Sequence, residues 1–220
     1  MNRIVPLRII GICAALVLAL YAGLGFFGDL VRPDFRAGDL FSGVFPPDDV
    51  NLTTARLAAR FSFDGDLLAN DASARAANVL HRPASDTTKR SEENKAAQDA
   101  VISALKVSPI RPALWLTLST LKAQVGEPTT PALKMSYLTG AVPVDVAFSR
   151  VQTVTSSVAA ADDEIRLLAQ SDIRSALANR ARYAPLLIAA YVQATPQGKS
   201  LLMESAQMID PKFRDILLRY

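Results

Sequence analysis

The chain has 220 residues, of which 50% are hydrophobic and 20% are charged, and its formal net charge is +3. Arg3 and Arg8 supply two of those three charges, so the remainder is close to neutral and gives no electrostatic basis for nucleic-acid binding. Aromatic residues make up only 7% and alanine is abundant, a balance that favours closely packed helices over a β-sandwich or a barrel.

Residues 9–27 form an uncharged apolar run, IIGICAALVLALYAGLGFF. As a helix this run is about 28 Å long, close to the hydrocarbon thickness of a bilayer, and it predicts a transmembrane helix. Residues 1–8 are short and carry Arg3 and Arg8, so we expect them in the cytoplasm and the rest of the chain across the membrane. The alternative is a cleaved secretory signal, but the best cut, after Ala22, has Leu20 where a small residue is expected. The prediction is a single-pass membrane protein with its carboxy-terminal domain on the far side of the membrane.

Residues 28–49 predict a tether, because Gly, Pro and Asp recur there without a sustained period. The apolar side chains of the tether, Leu40 and Phe41 among them, are too many for a solvated linker. They are expected either on the membrane surface or against the following domain. Residues 50–220 are expected to form that domain, which is long enough to bury a core.

Within the domain, apolar residues recur at helical spacing, and Pro and Gly mark the breaks. No stretch alternates with period two over a length that predicts a strand, so the expected fold class is all-α. The polar residues 85–95 predict a loop followed by the solvated start of a helix. The predicted helices are 51–61, 66–80, 94–108, 112–125, 131–138, 144–158, 162–182, 185–193 and 196–209, with a last turn at 211–218.

One stretch resembles the tetratricopeptide repeat, in which an Ala-spaced helix ends at a Pro turn and the next helix opens with Trp and Leu. The matching residues are Ala97, Ala100, Ala104, Ser108, Pro109, Trp115, Leu118 and Gly126. Prolines that end helices at 109, 143 and 211 are spaced by one and two periods of about 34 residues. The resemblance implies an array of helix pairs. An irregular helical bundle is the alternative, since position 177 is Leu where the repeat would have Pro.

The chain is also similar to uncharacterised envelope proteins of alphaproteobacteria. The similarity lies in the basic start, the single apolar run and an Ala-rich body with SPxxPxLW and MSYLTG segments. Together with the apolar run, it implies a single-pass protein of a bacterial inner membrane with a periplasmic carboxy-terminal domain, and it implies no particular activity.

No motif specifies a catalytic, metal or cofactor site, and we expect a protein that is not an enzyme. His81 is the only histidine, which excludes a His-based metal cluster and an ordinary Ser-His-Asp triad within one chain. Residues 198–200 read Gly-Lys-Ser, but Gln193 stands where a phosphate-binding loop has its first glycine. The alternative function is an envelope glycan-cleaving enzyme with Glu204 or Glu127 as its acid.

Four side chains are candidates for contact with a partner: Trp115, Tyr137, Arg166 and Arg174. Aromatic residues contribute much of the binding energy of interfaces, although Trp115 also fits a packing position of the repeat. The arginines of 166–182 are candidates for contact with an anionic polysaccharide, although ordinary solvated helix faces look the same. The expected function is therefore a scaffold or accessory protein of an envelope assembly, such as one for polysaccharide synthesis or export. It would bind protein partners through its helical domain, without a cofactor.

Overall fold

The computed structural model describes residues 4–30, 36–42 and 64–220, and every regular element in these ranges is a helix. The predicted all-α class is confirmed. Two short 3-10 helices occur at Asp39–Phe41 and Val158–Ala161, and the helix expected at 51–61 lies outside the described residues. The α-helices of the described ranges are α1 (Ile4–Leu30), α2 (Gly65–His81), α3 (Thr87–Val107), α4 (Pro112–Gln124), α5 (Thr130–Leu138), α6 (Val144–Thr155), α7 (Asp163–Ala178), α8 (Arg180–Gln193), α9 (Pro196–Ile209) and α10 (Pro211–Leu217).

Helix α1 contains the whole uncharged run 9–27 and continues a few residues beyond it at both ends. Its side chains are described at 10–23 and at 26, where the large apolar ones are between 59% and 72% exposed. Among the residues with described structure, no helix combines the length and the hydropathy expected of a membrane crossing.

Side-chain caps and prolines account for where the helices of the domain begin. Asp64 accepts a hydrogen bond from the backbone N–H of Asp66 at 2.8 Å and so caps α2. Asp86 caps α3 in the same way, which explains why α3 begins at 87, before its apolar stripe. Helices α4, α9 and α10 have Pro in the first turn, where the missing N–H is not needed, and Thr195 and Asp210 also cap α9 and α10.

The helices pack both on their neighbours in sequence and on alternate helices. Neighbouring pairs are α2 with α3, α4 with α5, and α6 with α7. Alternate contacts join α2 to α4, α4 to α6, and α6 to α8, while α5 contacts α7 and α7 contacts α9. One apolar cluster, here called the Ala-rich cluster, fills the space between α2, α3 and α4, and a second cluster extends from α4 to α10. Alanines dominate the first cluster, so its helices approach closely.

The break between the helices predicted at 162–182 and 185–193 was placed wrongly. It falls at Asn179, and Pro185 lies inside α8. The Asn179 carbonyl accepts the N–H groups of Arg182 and Tyr183 and so starts a new helix five residues before the proline. Pro185 removes one backbone donor from the second turn, which the helix tolerates because Pro185 is exposed to water there.

Residues 36–42, which belong to the predicted tether, dock on the domain as one 3-10 turn. Leu40 is only 3% exposed and belongs to the Ala-rich cluster. Phe41 is half-buried and packs against both clusters, and Gly38 lies beside the Val146 side chain of α6. The apolar residues of the tether are expected either on the membrane surface or against the domain. Leu40 and Phe41 lie against the domain.

Candidate functional site

An open cleft of about 840 Å³ lies where α2, α4 and α6 begin. The first turns of these three helices and the loops before α4 and α6 form one wall, and residues 36–42 form the other. The three helix starts meet at one place because α2, α4 and α6 pack on each other in series. The cleft is thus a direct product of the alternate-helix packing.

Two arginines and three aspartates line the cleft, and Arg182 from outside the lining compensates the third aspartate, Asp145. Arg111 forms an ion pair with Asp66, and its Nε donates to Ser108 Oγ at 2.9 Å. Asp145 Oδ1 accepts from the Tyr183 hydroxyl at 2.8 Å and from Arg182 Nη2 at 3.0 Å. Because acids and bases compensate each other, this wall attracts neither a polyanion nor a polycation strongly.

Both loops of the domain wall are held by buried or half-buried side chains. The Trp115 indole Nε1 donates to the Pro109 carbonyl at 2.8 Å and holds the loop between α3 and α4. Arg150 Nη2 donates to the Gly140 carbonyl at 3.2 Å and holds the loop between α5 and α6. Gly140 has a φ of 142°, a backbone angle that residues other than glycine rarely adopt. These contacts fix the shape of the cleft before any ligand arrives.

Arg150 is the centre of a buried polar network that joins α5, α6 and α7. Its side chain is 3% exposed, its Nε donates to Ser136 Oγ at 2.9 Å, and its Nη2 also donates to the Ser136 carbonyl. The guanidinium lies 4.7 Å from the Tyr137 ring centroid, a cation–π contact. Its ion pair with Asp172 is long, at 3.8 Å between Nη1 and Oδ2.

Asp172 and Tyr137 lie in the same low-polarity surroundings and both titrate abnormally. Burial raises the pKa of the Asp172 carboxyl to about 6, although the Arg150 charge opposes the rise. Burial also raises the pKa of Tyr137 well above its usual value. The Tyr137 hydroxyl and the Asp172 carboxylate interact with each other, but within the part of the chain that is described neither that hydroxyl nor Asp172 Oδ2 makes a hydrogen bond of good geometry. The network therefore carries an electrostatic cost at neutral pH.

The four candidate contact residues are not brought together. Trp115 and Tyr137 are both half-buried, and each supports a loop or helix end near the cleft rather than presenting an open aromatic face. Arg166 Nη2 pairs with Glu204 at 2.6 Å, and its Nη1 donates to the carbonyls of Ala160 and Gln197. Arg174 is exposed.

The other arginines proposed for anionic polymer contact are engaged in ion pairs. Arg180 Nη1 lies 2.9 Å from Asp210 Oδ2, and Arg182 Nη2 lies 3.0 Å from Asp145 Oδ1. The sequence points to four arginines in 166–182. Three of them, Arg166, Arg180 and Arg182, thus form ion pairs with acidic residues of the same domain. Arg174 and Arg182 are both exposed, and Arg174 is the member of the set without an ion pair among the described residues.

Neither of the two glutamates considered as a glycan-cleaving acid lies in the surroundings expected for that role. The Ser200 hydroxyl donates to Glu204 Oε1 at 2.5 Å, and this bond together with Arg166 lowers the pKa of the Glu204 carboxyl. A general acid needs the opposite shift. Glu127 is an exposed residue whose Oε2 pairs with Lys122 Nζ at 3.0 Å.

Gly198 serves helix packing, in agreement with the rejection of a phosphate-binding loop from the sequence. It is buried where α9 crosses the end of α6, and Thr195 Oγ1 accepts its N–H at 3.1 Å as a helix cap. His81 is exposed at the end of α2. No group of three or more possible metal ligands occurs in ranges 4–30, 36–42 and 64–220.

Arg150 and Asp172 are the residues that the sequence did not single out. Each stands in a helix between apolar positions, and a polar residue on a buried helix face was the one signal that pointed to them. That signal is weak because many helices tolerate one inward polar residue at an edge. No protein-family model, curated protein or solved structure matches this chain.

Proposed function

We propose that this protein is a membrane-anchored, non-catalytic scaffold or accessory protein of a bacterial envelope assembly. Residues 9–27 serve as its anchor, and the helical domain lies on the periplasmic side. Since no crossing helix is found among the described residues, support for the anchor comes from the length and composition of the run. The exposure of its apolar side chains also calls for a cover of lipid or protein.

The observation that carries the scaffold proposal is the contact of alternate helices from α2 to α8. Repeated helix pairs with such contacts resemble a tetratricopeptide-type array, and arrays of this kind bind partners along an extended grooved surface. The contact of α9 with α6 departs from a strict array and favours an irregular end. The cleft at the starts of α2, α4 and α6 is the concave part of this surface.

Other proteins of the envelope are the partners that fit best. The anchor restricts the domain to the membrane plane, which raises its effective concentration toward other membrane components without any new contact. The balanced charges of the cleft favour a protein segment over an anionic polysaccharide, for which Arg174 would be the exposed contact. An assembly for polysaccharide synthesis or export is one setting of this kind. Neither Glu204 nor Glu127 has a geometry that favours the glycan-cleaving alternative.

Site-specific photo-cross-linking in intact membranes tests this function. A photoreactive side chain replaces Ile110, which is 77% exposed and lines the cleft, in the full chain. The matched control carries it at Met208 of α9, which is 66% exposed and does not line the cleft. We expect a discrete product from position 110, identified by mass spectrometry as an envelope protein, and none from position 208. Equal labelling from both positions, or no product from either, would contradict a scaffold that uses this surface.

A further inference from the structure

Residues 36–42 form one wall of the cleft as a small folded turn whose described hydrogen bonds all lie within the segment itself. The Asp39 carboxylate accepts the backbone N–H of Arg36 at 2.7 Å, and the Ser42 hydroxyl donates to the Asp39 carbonyl at 3.1 Å. Backbone bonds join Asp39 to Arg36, Phe41 to Gly38 and Ser42 to Asp39. Within the described chain, the hydrogen bonds of this segment are therefore internal to it.

The attachment of the segment to the domain is correspondingly apolar. Leu40 enters the Ala-rich cluster, Ala37 packs against that cluster, and Phe41 bridges the two clusters. Arg36, Asp39 and Ser42 face the open part of the cleft. Leaving the domain would expose two large apolar side chains but break no hydrogen bond to the domain among the described residues, so the segment is held there by apolar contact.

We propose that the surface under residues 36–42, together with the open cleft beside them, is a binding groove for short partner segments in which an acidic residue is followed by two bulky apolar residues, and that residues 36–42 cover this groove in cis. The sequence of residues 36–42 indicates which partner segments would fit the groove. Its acidic side chain closes the turn and thereby presents the two apolar side chains in one orientation, which reduces the ordering cost of binding. This inference rests on the scaffold function and names the site and the partner class for it.

The open volume beside the segment and the fixed domain wall support exchange. About 840 Å³ remains open next to Arg36 and Asp39, enough for an incoming segment to begin contact before the resident one leaves. Trp115 and Arg150 hold the two wall loops through the carbonyls of Pro109 and Gly140, so the groove keeps its shape. The resident segment has the advantage of high effective concentration because it is part of the same chain. A free peptide therefore competes poorly until that segment is disabled.

The test measures binding of a fluorescent peptide of residues 36–42 to the full chain in detergent micelles by fluorescence polarisation. The opened variant carries Leu40→Ser with Phe41→Ser, and the matched control carries the same type of change at two exposed leucines that do not line the cleft, Leu167→Ser with Leu218→Ser. We expect the opened variant to bind the peptide at least tenfold more tightly than the wild type and the control. A peptide with the Leu→Ser change should bind roughly thirtyfold more weakly, and one with Asp→Ala about fivefold more weakly.

Hydrogen exchange locates the site. Bound peptide should slow exchange at the first turns of α2, α4 and α6, and not at α9 or α10. Should the double variant fail to fold by circular dichroism, the milder Phe41→Ala variant takes its place, with the same expected order of affinities. Absence of saturable binding to a folded opened variant, or equal binding of the Leu→Ser peptide, would overturn the proposal. So would a wild-type dimer that the peptide dissociates, because the groove would then hold the segment of a second copy.

The outcome also separates this inference from the scaffold function. If the cross-linker at Ile110 captures an envelope protein but the peptide fails to bind, only the proposed partner chemistry is wrong. If the peptide binds and no cross-linked partner appears, the groove is real and the scaffold function is wrong.

Discussion

Gly198 of α9 lies directly against the backbone of Thr155 at the end of α6. A Cβ atom at Gly198 would be 2.1 Å from the Thr155 carbonyl oxygen and 2.7 Å from its carbonyl carbon. The same carbonyl accepts the backbone N–H of Thr195 at 2.9 Å and its hydroxyl at 3.2 Å. The start of α9 is thus fastened to α6 at a distance that only glycine permits.

Replacing Gly198 by Ala should destabilise the domain severely, because the new methyl group meets backbone rather than a movable side chain. We expect a loss of about 3 kcal/mol in the free energy of unfolding, at the upper end for overpacking. Urea unfolding followed by circular dichroism measures it. Gln197→Ala, an exposed change one residue earlier, is the control and should stay within about 0.5 kcal/mol of the wild type. A tolerated Gly198→Ala would show that α9 does not cross α6 so closely.

Arg150 should be among the most sensitive side chains of the domain. Arg150→Met removes the donors to Ser136 and Gly140 and leaves Asp172 without its cation, so we expect a loss of about 3–5 kcal/mol in the free energy of unfolding. Arg180→Met, which breaks a half-exposed pair with Asp210, should lose no more than about 1 kcal/mol.

A double-mutant cycle separates the loss of the ion pair from the loss of packing around Arg150. Arg150→Met combined with Asp172→Leu should be more stable than Arg150→Met alone, because no buried carboxylate is left uncompensated. Strictly additive effects of the two changes would contradict the coupling of Arg150 and Asp172 across α6 and α7.

Asp172 predicts an unusual pH dependence of stability. Its pKa is about 6 in the folded chain and 3.8 in the reference state, so the folded chain binds the proton more tightly. The free energy of unfolding should therefore rise as the pH falls from 7 to 5, by about 1 kcal/mol from this group, and it should decrease again on return to pH 7. Thermal unfolding at pH 5, 6 and 7 checks the trend. Asp172→Asn should remove this rise, and an unchanged slope in that variant would assign it to another group.

We expect Trp115 to stabilise the domain through the hydrogen bond of its indole nitrogen as well as through the packing of its ring. Trp115→Phe keeps an aromatic ring against the Ala-rich cluster but loses the bond to the Pro109 carbonyl, at a cost of about 1 kcal/mol in the free energy of unfolding. Trp115→Leu should cost more, because the ring is lost too. Guanidinium unfolding followed by circular dichroism gives both values. Equal stability of Trp115→Phe and the wild type would mean that the loop before α4 is held by other contacts.

Local patterns in the sequence predicted most helices, because Pro at helix starts and Gly after helix ends have one dominant effect on the backbone. Pro112, Pro196 and Pro211 begin helices as expected, and Gly126 and Gly140 follow helix ends. Periodicity placed the outer boundaries of α3 and α7 less well, because polar first turns and a break at Asn179 carry no apolar signal.

The candidate site was less predictable, since it depends on contacts between residues far apart in the chain. Leu40 reaches a cluster built from α2 to α4, and Arg150 reaches a loop ten residues away through its side chain. A helical period reports which face of a helix is buried but not which helix covers it. Tyr137 could therefore be noticed as an aromatic residue, while its place beside Arg150 and Asp172 could not be derived.

The most direct measurement of the central claim is the position of the carboxy terminus relative to the membrane. Two reporters are fused after Tyr220, one active only outside the cytosol and one fluorescent only inside it, and the chain is extracted with alkaline carbonate. The account predicts a carbonate-resistant membrane protein of full length, with activity from the first reporter alone. Fluorescence from the second reporter, or a soluble chain that lacks residues 1–27, would contradict it.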